Sequence, residues 1–326
     1  MSRELGPRAW QLLGLLGDGE FHSGGLLAQC LRVSRASVFN ALAEVETFGI
    51  ALQRVHGRGY RLSQPWQRLD AQEIRLSLAG AAPRFQLEIL QQATSSNALM
   101  LQRATQGAPS GSVLAVELQT AGRGRRGRTW HSGLGNALTF SVLWRFDCGL
   151  NALSGLSLAV GLSIVRASQR FAAQGVRLKW PNDVLTAHGK MGGVLIEAQG
   201  DMLGPCAVVI GIGVNCTLPL HLEQRIDQAS GALDQVCERM PGRNQLLAAL
   251  LQELAAVLDE FARLGFANLR AEWESYHARQ DAAISLHLPD GDVITGIARG
   301  VSDTGELRVA TAQGMRSFNS GEVGVR

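Results

Sequence analysis

Hydrophobic spacing changes its period twice along this chain of 326 residues, and each change removes most of the folds otherwise open to it. Near the start, "RASVFNALAEVETFG" sets Val38, Ala41, Leu42 and Val45 at i, i+3, i+4 and i+7, one apolar face of a helix. Past residue 280 the period is two, with turn signals at Asp290-Gly291, Thr304-Gly305 and Gln313-Gly314. In between, strand-like runs at 112–118, 137–146, 176–180, 193–198 and 207–214 are mixed with a long apolar helix at about 154–172 and a helical stretch at 243–278. One sheet or one bundle cannot satisfy all three regimes, so the expected class is α+β with several units.

Residues 1–66 are expected to be a winged helix-turn-helix: "RAWQLLGLL", then "SGGLLAQCL", the turn "RVS", a third helix, and "IALQRVHGRGYRL" as a hairpin. Ser34 suits the N-cap of the third helix and Gly49 its stop. In such a unit Ser34, Arg35, Ser37 and Asn40 face a DNA major groove, while His56 and Arg58 at the hairpin tip reach phosphate. A winged helix used only for dimerisation or domain packing would show the same pattern, and seven arginines against five acids make this unit only weakly basic. Residues 67–83 read as a polar linker, 84–278 as a mixed α/β unit with helices on one face of its sheet, and 279–326 as a small SH3-like β-barrel.

The apolar fraction of 46% supports a real core, and the net charge of +3 is too mild for wholesale coating of nucleic acid. Five cysteines, never spaced as CxxC, fit a reducing compartment, hence the cytoplasm. The apolar run at 156–165 has roughly half the length of a membrane span, so no membrane association is expected. Of 31 basic residues only Lys179 and Lys190 are lysines, which points to positions where a compact ammonium is needed and a guanidinium fork will not serve.

Three dense motifs carry chemistry. "ELQTAGRGRRGRTWHSG" fits the dinucleotide pattern G-x-G-x-x-G through Gly122, Gly124 and Gly127. That pattern needs a helix next, whereas here a glycine-broken loop and an apolar strand follow; a phosphate clamp of Arg123, Arg125, Arg126 and Arg128 is the reading that remains. "LKWPNDVL" sets Lys179, Asn182 and Asp183 about a Trp-Pro turn, and "GKMGGVLIEAQG" puts Lys190 before a glycine pair and a strand reaching Glu197. Arginine clamp, lysine, amide and carboxylate together equip a site for nucleotide phosphate and Mg2+. "VVIGIGVNC" is either a strand with glycines for packing or a strand that turns Asn215 to the site. His131 beside Trp130 reads as a loop residue; no Ser-His-Asp order stands out and the histidines lack metal-ligand spacing, so no protein-only metal site is expected.

"GRGRRGRTW", "KWPND" and "GKMGGVLIE", in this order behind a winged helix, resemble the biotin–protein ligases in their bifunctional form, ligase and biotin operon repressor. That resemblance implies activation of biotin by MgATP to biotinyl-5′-adenylate and transfer to a lysine of the biotin carboxyl carrier domain of acetyl-CoA carboxylase. It implies biotin contacts from Ser95, Ser96, Asn97, Gln119, Arg123, Gly124, Arg125 and Lys190, of which Lys190, Arg125 and Arg123 are the catalytic candidates. It assigns the adenylate to Arg125, Arg128, Trp130, Asn182, Asn215 and Arg326. The family's Ser-Thr-Asn is Ser95-Ser96-Asn97 here, and the loop ordered by adenylate falls near 217–231 and lacks a tryptophan. A liganded homodimer on operator DNA is implied as well. The alternatives are a ligase with a non-DNA-binding N-terminus, a lipoate-type ligase (whose Arg-Gly-Gly-Gly run is not seen) and a sensor-repressor without catalysis.

Overall fold

The computed structural model describes residues 4–224 and 226–325. Helices α1 (Pro7–Leu16), α2 (Gly24–Leu31) and α3 (Arg35–Thr47) lead into a hairpin of β1 (Leu52–Val55) and β2 (Gly59–Leu62). Each start has a local cause: Pro7 opens α1, the Ser23 side chain accepts from Leu26 N, and that of Ser34 accepts from Ser37 N. Arg32, left-handed at φ 53°, ends α2 and turns the chain into α3 within three residues. Leu12, Leu13, Leu16 and Leu42 are wholly buried where the helices meet.

The central sheet has seven strands in the order β3-β4-β5-β9-β8-β7-β6: β3 (Gln86–Ala93), β4 (Ser112–Gln119), β5 (Ala137–Phe146), β6 (Arg177–Lys179), β7 (Asp183–Thr186), β8 (Gly189–Gly200) and β9 (Cys206–Asn215). Among the described residues β3 and β4 are the one parallel pair of named strands in this sheet, joined by α5 (Ser96–Thr105). Helices α4 (Ala71–Leu78), α6 (Leu156–Gln169) and α8 (Arg243–Leu264) cover one face. Helix α5 covers the other, packing Met100 and Ala104 on Leu114, Val116, Leu143 and Val209. Helices therefore lie on both faces, not on one: the β3–β4 crossover must pass over the sheet, and the apolar face of "SNALMLQRAT" goes with it. Each wholly buried aliphatic side chain of α6, such as Leu162 and Ile164, contributes roughly 1.5–3 kcal/mol.

Residues 67–83 are not a free connector. Asp70 caps α4 by accepting from Gln72 N and Glu73 N, and Leu69, Ile74 and Leu78 are buried in the main core. Just ahead, Trp66 joins the N-terminal core together with Leu118 of β4 and Leu134. Beneath this seam Arg243 and Glu117 form a buried ion pair at 2.8 Å, and Glu117 also accepts from Leu69 N at 2.6 Å and from Trp66 Nε1 at 3.3 Å. Arg243 donates onward to the carbonyls of Gln67 and Ala137.

After the short helices α7 (Leu220–Glu223) and α9 (Arg270–Ser275) comes a five-stranded antiparallel sheet in the order β13-β12-β11-β10-β14. Its strands are β10 (Ala283–His287), β11 (Val293–Val301), β12 (Leu307–Thr311), β13 (Gly314–Phe318) and β14 (Glu322–Val325). Where a small barrel was expected, β13 and β14 are the two edges and do not pair with each other among the described residues. Among the described residues no helix is long and apolar enough to cross a membrane.

Candidate active site

One cleft, of about 990 Å³ with its open mouth, gathers segments that are far apart in sequence: the β3–α5 junction, the arginine loop, β6–β7, β8, β9 and the start of β14. Ser95, Ser96, Asn97, Gln119, Arg123, Gly124, Arg125, Arg128, Trp130, Asn182 and Lys190 all line it.

The floor is a buried polar network. Ser96 N donates to Gln119 Oε1 at 2.7 Å, which ties the start of α5 to the end of β4. Ser141 Oγ lies 2.7 Å from Ser96 Oγ and 2.5 Å from Asn97 Oδ1. Asn97 Nδ2 donates to Glu197 Oε2 at 3.0 Å and to Leu195 O at 3.3 Å. Gly211 on β9 makes room for this asparagine, because a Cβ there would stand 2.2 Å from Asn97 Oδ1. Two positions on, a Cβ at Gly213 would stand 2.6 Å from the Trp130 ring. The glycines of "VVIGIGVNC" thus clear space for two side chains that line the cleft.

The arginine loop folds back on itself: Gly124 N donates to Arg128 O at 2.7 Å and Trp130 N to Gly122 O at 2.9 Å. Its turn uses left-handed backbone at Arg126 (φ 55°) and Gly127 (φ 72°). No dinucleotide-type helix follows; the chain enters β5 instead. Trp130 Nε1 is buried and has no hydrogen-bond partner among the described residues, although its ring lines the cleft.

Three cations of the cleft are each held by a carboxylate. Lys190 Nζ lies 2.6 Å from Asp183 Oδ1, Arg123 3.0 Å from Glu197 and Arg128 2.5 Å from Glu322. Arg125 donates to Asn182 Oδ1 at 3.2 Å, and Asn182 Nδ2 is fixed on Val194 O at 2.8 Å. Burial lowers the Lys179 ammonium below its ordinary value, against the raising influence of Asp183 and Glu322. Arg125 is lowered too, by burial first and by Arg126 second. For Glu322, burial pushes the carboxyl up, but the hydrogen bond and charge of Arg128 outweigh it, with a net downward shift. Positive charge is concentrated here and incompletely solvated, a setting suited to an anionic ligand.

Asn215 does not line the cleft. Its Nδ2 donates to Gly231 O at 3.1 Å and Lys190 O at 3.4 Å, so it braces the backbone that carries Lys190. The 217–231 segment closes the same edge: Lys190 N donates to Ala229 O, Gly231 N to Lys190 O, and Gln228 reaches the cleft wall. Arg326 lies outside the described residues. Ser141, Gln228 and Glu322 are site residues that sequence reasoning missed; Glu322 stands 194 positions from Arg128, and nothing local marks it. Among the described residues no group of three or more His, Cys, Asp or Glu side chains could hold a metal ion.

On the N-terminal unit Arg35, Asn40 and Arg58 are exposed, Ser34 and Ser37 share the helix cap at 3.0 Å, and Arg58 stacks on Phe21 at 4.4 Å.

Residues 89–215 match the biotin/lipoate A/B protein ligase family, and residues 283–326 match the biotin protein ligase C-terminal domain. The chain is 33% identical to the bifunctional ligase/repressor BirA of Escherichia coli strain K12, over 97% of this chain and 96% of that one. It is 35% identical to the biotin–[acetyl-CoA-carboxylase] ligase of Mycobacterium tuberculosis, over 73% of this chain and 89% of that one. A biotin protein ligase from Aquifex aeolicus, solved in complex with biotin and ATP, superposes with a TM-score of 0.60 at 27% identity, covering 73% of this chain and 97% of that one.

Proposed function

Because the chain belongs to the biotin protein ligase family, whose substrates are biotin and ATP, we propose that it forms biotinyl-5′-adenylate in this cleft and passes biotin to a lysine of the carboxyl carrier domain of acetyl-CoA carboxylase. The observation that carries this reading is the convergence of Lys190, Arg123, Arg125 and Arg128 on one cleft whose floor is the Ser95–Asn97 network. In the first step a biotin carboxylate oxygen bonds to the α-phosphorus while the bond from that phosphorus to the bridging oxygen breaks, and pyrophosphate leaves. Two anions must approach each other, so positive charge has to be in place beforehand. Lys190, Arg123 and Arg128 supply it by exchanging their carboxylate partners for substrate oxygens. Mg2+ arrives as part of the MgATP substrate. In the second step the acceptor lysine amine attacks the acyl carbon, AMP leaves, and the amine gives up a proton. The mixed anhydride must be kept from water meanwhile, the task assigned to the arginine loop.

The roles divide along the floor. Ser95, Ser96, Asn97 and Gln119 orient biotin; Arg125, Arg128, Trp130 and Asn182 hold the adenylate; Asn215 acts by bracing Lys190. Gly211→Ala is therefore expected to raise the KM for biotin, and Gly213→Ala the KM for ATP, each by about tenfold or more, equivalent to ~1.4 kcal/mol. Steady-state titration of each substrate checks this, and equal effects of both variants on both substrates would refute the division.

The N-terminal unit is read as a winged helix-turn-helix that represses transcription as a liganded homodimer on operator DNA, and the C-terminal sheet as the SH3-like module. The three helices with their hairpin, the exposed Arg35, Asn40 and Arg58, and full-length likeness to ligase/repressors support this. Two assays on the full chain test the whole reading. With MgATP and a carrier domain, biotin is expected to be transferred and lipoate not; preferred transfer of lipoate would overturn the ligase assignment. In mobility-shift titrations at fixed salt, biotin plus ATP is expected to tighten binding to DNA upstream of the host's biotin-synthesis genes. A shift indifferent to both ligands would leave a ligase without repression.

A further inference from the structure

Helix α3 buries Val38, Ala41, Leu42 and Val45, so helical spacing turns Ala36, Phe39, Asn40 and Ala43 away from that core. Phe39 keeps 52% of its surface exposed on this outward face. Arg54 of the β1–β2 hairpin sets its guanidinium 5.6 Å from the ring centre of Phe39 and 5.8 Å from that of Tyr60. Glu46 holds that arginine at 2.5 Å. The first turn of α3 has no acid, and Glu44 is occupied with Gly6 N at 2.7 Å. Phe39 thus stands as an exposed apolar disc, with Arg35 one turn back on the same helix and Arg54 over its ring. Glu46 offsets Arg54, so Arg35 is the cation this face offers a polyanion, and the ring itself needs an apolar feature within that polyanion. Major-groove DNA offers one such feature, the 5-methyl group of thymine.

We propose that Phe39 packs on a thymine 5-methyl group in each operator half-site and is a specificity-determining residue of the repressor, with Arg54 fixing the tilt of the ring. The proposal rests on the DNA-binding reading above and adds to it a base preference and a residue that the helix-face argument from sequence passed over.

The test uses the tightest duplex that the full chain selects from a randomised pool in the presence of biotin and MgATP. Its thymines are then replaced one at a time by deoxyuracil, which keeps the pairing edge and removes only the methyl. One such replacement is expected to weaken binding about fourfold, the equivalent of ~0.8 kcal/mol for one buried methyl group. The symmetric pair of replacements should weaken it about fifteenfold. Phe39→Ala should bind the thymine duplex more weakly and no longer distinguish it from the deoxyuracil duplex, while Phe39→Leu recovers part of the preference. Because the ring is exposed, unchanged Tm and carrier labelling are expected for both variants. If no thymine is sensitive, or if Phe39→Ala discriminates as the parent does, the methyl contact is refuted while DNA binding stands. If no duplex is selected at all, the DNA-binding reading falls and the contact falls with it.

Discussion

Lys190→Ala is expected to slow adenylate formation by roughly 10²–10³, the usual effect of removing one preorganised donor from developing charge. Single-turnover release of pyrophosphate measures this step apart from transfer to the acceptor. The loss should appear in both kcat and the KM for biotin, since in the proposed mechanism the same ammonium meets the carboxylate before and during attack. Lys190→Arg is expected to recover little. The lysine stem runs so close to Gly193 that a Cβ there would meet its Cε at 3.3 Å, and the bulkier guanidinium would have to follow the same narrow path beside Asp183. Adenylate formation within threefold of the parent in either variant would remove Lys190 from the catalytic set.

The second large effect lies away from the cleft. Arg243→Ala strands the Glu117 carboxylate, only 4% exposed, without its ion-pair partner, and is expected to cost about 3–5 kcal/mol. Thermal unfolding should then begin about 10 °C lower. The double variant Arg243→Met, Glu117→Gln removes both charges and keeps an acceptor for Leu69 N, so it should regain most of the loss. A single variant that melts with the parent, or a double one no better than the single, would show that the pair is not what holds the seam.

The strands at 137–146 and 206–215 were legible because each is a long apolar run buried on both faces, and period two marked the last five strands. Strand β3 escaped because "QLEILQQA" lies at an edge and carries exposed Gln86 and Glu88, so it offers no apolar run to mark a strand. Helix α5 escaped for a related reason: its burial depends on which face of the sheet the crossover takes, and that is a property of topology. In the site, dense motifs announced the arginine loop, Asn182 and Lys190. The carboxylates opposite them were harder. Asp183 and Glu197 sit within those motifs, but Glu322 meets Arg128 only because β14 is laid against the cleft by the C-terminal sheet. Asn215 shows the complementary limit, since a polar residue at a strand end can serve the site by holding another residue's backbone.

The seam around Trp66 bears on how such a protein can be inherited or dismantled. A segment boundary near residue 66 invites the idea that the N-terminal helical unit was appended to an enzyme and could be cut away again. Yet Leu118, next to the Gln119 that ties down the floor of the cleft, and Leu134, four residues beyond Trp130, take their apolar cover from the appended part. Trp66 also lies so near Gly135 that a single Cβ there would come within 2.8 Å of the indole. A shuffled or truncated gene would inherit a catalytic half with a wet, unsupported wall beside its substrate cleft. Selection acting on either half would therefore be felt by the other, and the two are expected to change their sequences in step along this surface.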